Sequence, residues 1–96
     1  MNLSALSGLQ AGALLLSATA DNVANLDTPG HHSERVDLAT AASGGVQASV
    51  SLAPGAGVDL VEQVGNLIQG ELLYKANAVV LRAGAETDKS LFDALA

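Results

Sequence analysis

Leu6, Leu9, Ala13, Leu16, Ala20 and Val23 recur at 3-4-3-4-3 spacing near the start of the chain. Near its end, Leu60, Val64, Leu67, Glu71, Tyr74, Ala78, Leu81, Ala85, Asp88, Phe92 and Leu95 keep the complementary 4-3-4-3 rhythm. Such seams belong to helices that pack along their length, so a chain with one at each end is committed to a pair of long helices. The expected fold is mainly α: two long antiparallel helices, N- and C-terminal, packed in coiled-coil fashion and joined by a short β-hairpin or loop. A single domain is expected over 1–96, with 1–27 as the N-terminal helix, 28–57 as a turn plus hairpin or loop, and 58–96 as the C-terminal helix. At 1.5 Å per residue the second helix would run about 55 Å.

The first helix, from about residue 2 to 26, ends at Thr28-Pro29-Gly30. Pro29 lacks the N–H that a helix needs and pushes Thr28 out of the helical region. Gly30 can take the positive φ of the second corner of a type II turn. Asn2 or Ser4 is a candidate cap for the start. Small Ala13 and Ala20 would admit a close neighbouring backbone. Leu3, Leu14, Leu15 and Leu26 fall off the seam, which implies a second contact surface, because burying each is worth roughly 1.5–3 kcal/mol. Asn22 and Asn25 have two readings: their amides finish the helix, or they bond across subunits of a packed helical assembly. Tyr74 and Asn77 are equally open between an intramolecular contact and an assembly role.

Between the helices, Val46, Ala48, Val50 and Leu52 alternate with Gln47, Ser49 and Ser51, the period of a half-buried strand. Ser43-Gly44-Gly45 is a turn candidate, and the alternation around Arg35-Val36-Asp37-Leu38 offers a partner strand. A lone hairpin is marginal in water, so this one must lean on a helix or on a neighbouring molecule. Pro54-Gly55-Ala56-Gly57 then breaks the strand, and Asp59 with Glu62 places acids where a helix start favours them. Gly65, Gly70 and Gly84 interrupt the second helix where tight packing or bending is wanted.

Composition narrows the chemistry. Apolar residues are 49% of the chain but aromatic ones only 2%, so the core must be built from Ala, Leu and Val, and an aromatic-walled ligand pocket is not expected. The net charge of −6, with four Lys and Arg, disfavours nucleic acid and anionic membranes. With no cysteine there is no disulfide, thiolate ligand or Cys nucleophile. The first basic residue is Arg35, so a Sec signal peptide is not expected, and no uninterrupted apolar run reaches the ~20 residues of a membrane span.

His31-His32 could ligate a metal only if acids such as Glu34 or Asp37 joined them, and a solvated turn is the simpler reading. No Ser-His-Asp context, phosphate loop or paired-carboxylate site is present, so no catalytic residue, cofactor or metal is expected.

Asp21-Asn22-Val23-Ala24-Asn25-Leu26-Asp27-Thr28-Pro29-Gly30 resembles the Asn-Asn-x-Ala-Asn-x-x-Thr-Pro-Gly signature of bacterial flagellar rod, hook and hook-associated proteins, with Asp21 in place of the first Asn. The upstream Ala5-Leu6-Ser7-Gly8-Leu9-Gln10-Ala11 looks like that family's opening helix. Val58-Asp59-Leu60-Val61-Glu62, Asn66-Leu67-Ile68 and Tyr74-Lys75-Ala76-Asn77-Ala78 are similar to its C-terminal helix. With fewer than thirty residues between the two blocks, the chain looks most like a short proximal rod protein.

The resemblance implies a non-enzymatic subunit of the basal body rod that leaves the cytoplasm through the flagellar type III export apparatus, without a Sec signal, and polymerises in the periplasm with itself or other rod proteins. It places Asn22, Ala24, Asn25, Thr28, Pro29, Gly30, Leu60, Val64, Leu67, Tyr74, Asn77 and Leu81 at the family motifs and assembly surface. A small cytoplasmic helical-hairpin adaptor or chaperone, or a non-assembling paralogue, is the alternative.

Overall fold

The computed structural model describes residues 3–96, in the order α1 (Leu3–Ala24), β1 (Glu34–Thr40), β2 (Val46–Leu52) and α2 (Leu60–Leu95). The helices pack against each other in antiparallel fashion, and the strands form one antiparallel hairpin. The molecule is a rod of 62 × 24 × 15 Å, its length set by the 36 residues of α2. The 22 residues of α1 cover only part of α2, and residues 85–95 of the longer helix are exposed.

Of the two candidate caps, Asn2 lies outside the described residues. Ser4 sits inside α1, where its carbonyl accepts a hydrogen bond from Ser7 Oγ at 2.7 Å. At the far end of α1 the chain turns as Pro29 and Gly30 require. Gly30 has φ 75°, and the His31 N–H reaches the Thr28 carbonyl at 3.3 Å. Asn25 finishes the helix locally, donating from Nδ2 to the Asp21 carbonyl at 2.9 Å and accepting from Thr28 Oγ1 at 3.2 Å. Asp59 caps α2, its carboxylate accepting from the Val61 and Glu62 N–H groups at 3.0 and 3.3 Å.

The hairpin pairs Glu34 with Leu52 through to Thr40 with Val46. Gly44 and Gly45 turn it with φ of 90° and 85°, a backbone open to glycine at little cost. It leans on α1: Ser7 Oγ accepts from the Val46 N–H at 3.0 Å, and an open notch of about 170 Å³ between them is lined by Ala11, Leu14, Val46 and Ala48. Residues 53–57 fold back along 31–33, where His32 Nδ1 donates to the Ala53 carbonyl at 2.8 Å and Ser33 Oγ to the Gly57 carbonyl at 3.1 Å. Donation from Nδ1 is required because a carbonyl only accepts.

The helix interface lies one residue away from the expected seam. Ala5, Gly8, Gly12, Leu15, Thr19 and Asn22 are buried, each the position before a seam residue. On α2 the inward positions are Gln63, Asn66, Gly70, Leu73 and Asn77, again one before. The cause is close approach. A Cβ on Gly12 would stand 2.9 Å from the Tyr74 nitrogen and 3.0 Å from the Gly70 oxygen, so the two backbones touch here. The expected small residues Ala13 and Ala20 are exposed, and glycines take the role assigned to them. Leu15 joins the core and Leu14 is half-buried, while Leu3 and Leu26 stay exposed.

Among the other interrupting glycines, Gly65 has open space around its Cβ position. Gly65→Ala is expected to raise stability by about 0.5–1 kcal/mol through helix propensity, read as a higher urea midpoint. An unchanged or lower midpoint would count against an unobstructed site.

By length and composition alone, α1 is apolar enough to cross a membrane, with a mean hydropathy of 1.4 in its best window. Run length had argued otherwise, because Ser, Gln and Gly interrupt the run without adding charge. In this fold that helix is committed to α2 on one side and the hairpin on another.

Candidate assembly surface and its polar joint

Asn22 and Gln63 are the largest fully buried side chains, each 1% exposed. Asn22 Oδ1 accepts from the Glu34 N–H at 2.7 Å, and Nδ2 donates to the Glu34 carbonyl and to Gln63 Oε1, both at 2.9 Å. The amide orientation follows from chemistry, since the Glu34 N–H can only donate and its carbonyl only accept. One side chain therefore ties α1, the first residue of β1 and the first turn of α2. This is neither of the two expected roles for Asn22: it does not finish the helix, and its partners are in its own chain.

Gln63 is the residue that the seam analysis missed. Its signal lay in a quieter repeat, Gln63, Gly70, Asn77 and Gly84 at seven-residue intervals, masked by the louder leucines and valines. Asn77 faces inward. Its Nδ2 donates to the Leu73 carbonyl at 2.7 Å, and its amide fills the space over Gly8, where a Cβ would meet it at about 2.5 Å.

The remaining motif residues divide between turn and surface. Thr28, Pro29 and Gly30 form the exposed turn, and Ala24 ends α1 in solvent. Leu60, Val64 and Leu67 are about half exposed, Tyr74 is 41% exposed and Leu81 is half-buried. The neighbouring stripe is barer, with Val61 at 82% and Leu72 at 67%. Between the helices, Ala20, Val23 and Ala24 of α1 and Val64 and Leu67 of α2 line an open apolar groove of about 410 Å³, with Thr19 and Gln63 also on its walls. The buried apolar side chains are Ala5, Ala11, Leu15 and Ala18, so most of the bulky apolar side chains lie outside the core.

Lys75 holds the Glu71 carboxylate at 2.6 Å across one helical turn, and that hydrogen bond, then the Lys75 charge, keeps the carboxyl below its ordinary range. Among the described residues no three His, Asp or Glu side chains gather as for a metal ion.

Residues 3–31, the whole of α1 and the turn after it, match the family model described as flagella basal body rod protein. The match spans under a third of the chain, and this segment is similar to the flagellar rod protein family. No curated protein matches the chain. The matched segment contains Asn22 and the Pro29-Gly30 turn, so the rod-family region supplies the α1 side of both the polar joint and the apolar groove. That family is one of structural basal-body proteins.

Proposed function

We propose that the chain is a rod subunit that polymerises through the outward apolar faces of its two helices, with copies of itself or with other rod proteins. Leu60, Val64, Leu67, Tyr74 and Leu81 carry that contact from α2, and Ala24 from the end of α1. Asn77 contributes by holding the helix pair together. Asn22, Asn25, Thr28, Pro29 and Gly30 shape the end of the groove. In this reading the chain leaves the cytoplasm through the flagellar export apparatus and assembles in the periplasm.

One observation carries the reading: the bulk of the large apolar side chains is outside. A monomeric soluble protein seldom exposes such contiguous apolar surface, and covering it is the strongest driving force available for association. A groove free of charged residues suits further helices as neighbours.

Leu67→Asp tests it. Leu67 is half exposed, so the folded monomer should lose only about 1–2 kcal/mol, half the burial of a leucine plus the poorer helix propensity of Asp. In a packed assembly the same charge is buried unpaired at a cost of several kcal/mol. The expected result is that an immunoblot of purified hook–basal bodies detects the wild-type chain only in export-competent cells. The variant should be absent from the particle at equal cellular level. Recovery of Leu67→Asp at wild-type amounts would sink the proposal.

A further inference from the structure

Each helix carries two seams one residue apart, and one of them makes the close contacts within the chain. The pair in use is mostly small and polar, with Gly8, Gly12 and Asn22 against Gln63, Gly70 and Asn77, and Leu15 and Leu73 are its bulky apolar members. The outer pair, with Leu9, Leu16 and Val23 against Val64, Leu67 and Tyr74, is far more apolar, and of it Leu16 already reaches across to lie over Gly70. Burial of apolar area alone favours the second arrangement. Turning each helix by one position, about 100°, would bring it together at an ordinary interhelical distance. Because the helices are antiparallel, both outer seams turn to the same side, where Val23, Val64 and Leu67 already share a groove.

The used arrangement has one thing that the other lacks. In it, Asn22 meets Gln63 and both backbone groups of Glu34. Rotation would carry both amides to the flank and strip the Glu34 N–H and carbonyl of their partners, at the point where the hairpin is tied down. An unpaired buried amide costs more than a made one gains, so such a joint acts chiefly by penalising the wrong packing.

We infer that the Asn22–Gln63–Glu34 joint is the element that selects which seam pairs within the chain, and so keeps the apolar seam turned outward. That the outward seam then meets other subunits rests on the assembly reading. The selection itself is a property of the single chain and is tested on it.

The chain has no cysteine, so a pair can be introduced without interference. Ala13 and Glu71 are both exposed and belong to the outer seams, which turn to the same side of the pair and would face each other squarely after rotation. Ala13→Cys/Glu71→Cys is made with the native joint, with Asn22→Leu/Gln63→Leu, and with the milder Gln63→Met. Oxidation rates and helical circular dichroism are then measured on the purified full chain. Removing the joint should speed disulfide formation about tenfold or more, the ratio that one orphaned amide supports, with helix content retained. Tyr74, now 41% exposed, should become less accessible to an aqueous quencher. A folded joint variant with an unchanged oxidation rate and unchanged Tyr74 quenching overturns the inference. Unfolding of both joint variants overturns it too, since the amides would then hold up the fold without choosing between packings. Failure here leaves the outcome for Leu67→Asp in basal bodies untouched, and the reverse also holds.

Discussion

Gly12→Leu should lower stability by about 3 kcal/mol, the upper end of what overpacking costs. The Cβ position at Gly12 stands 2.9 Å from the Tyr74 nitrogen, 3.0 Å from the Gly70 oxygen and 3.2 Å from the Leu73 Cβ. Two of these three atoms are backbone, so no rotamer change makes room. The helices must separate or turn, and either motion breaks the Asn22–Gln63 contact. Leucine's better helix propensity returns only about 1 kcal/mol. A domain of this size has a total stability of roughly 5–15 kcal/mol, so the loss is a large share of it. Gly8→Ala supplies the contrast, because its Cβ would meet only the Asn77 amide at about 2.5 Å, the end of a side chain that can swing away. Its cost should be clearly smaller. Urea titrations with unchanged slope measure both. A wild-type midpoint for Gly12→Leu would mean that the two backbones do not touch.

The helices, hairpin and turns were legible because each rests on local chemistry. Pro29 and Gly30 can end a helix in few ways, and Gly30 takes the positive φ that the turn demands. The alternation of Val46, Ala48 and Val50 produced the expected strand, paired with the expected partner. The facing of the helices was not legible in the same way. A hydrophobic periodicity identifies which residues need to be covered, and it is silent on whether the cover comes from the same chain. In an ordinary globular protein the two coincide. Here Leu60, Val64 and Leu67 carry the strongest periodic signal and remain half exposed, while Gly12 and Gly70, with no hydrophobic signal at all, make the closest contact. The one-residue offset shared by both helices separates the residues that pack from the residues that the apolar pattern marks.

The motif was legible as spelling and only partly as physics. Asn25 does what a short amide near a helix end commonly does, bonding backbone and a neighbouring hydroxyl. Asn22 acts across elements far apart in sequence, and its partner Gln63 could not be paired with it without knowing the helix rotation.

Asn22→Ala should therefore be as damaging as the glycine substitution, for a different reason. It removes two hydrogen bonds to Glu34 and one to Gln63 while leaving all three partner groups in place. Each group orphaned in a buried setting costs about 1–3 kcal/mol, so a total near 3 kcal/mol is expected after partial hydration of the hairpin edge. Asn25→Ala loses only exposed contacts at the helix end and should cost at most about 1 kcal/mol. Asn22→Asp distinguishes a hydrogen-bond role from simple space filling. An ionised carboxylate still accepts from the Glu34 N–H, but it sets bare oxygens against the Glu34 carbonyl and Gln63 Oε1. That environment raises the folded-state pKa of the new group above its unfolded value, because only the protonated form can donate to those oxygens. The folded state then holds the proton more tightly, so the variant is relatively stable below the ordinary carboxylate range and loses stability as pH rises through and above it. If the deficit of Asn22→Asp against wild type is flat between pH 3 and pH 8, the Asn22 amide is not the donor that joins the two helices and the hairpin.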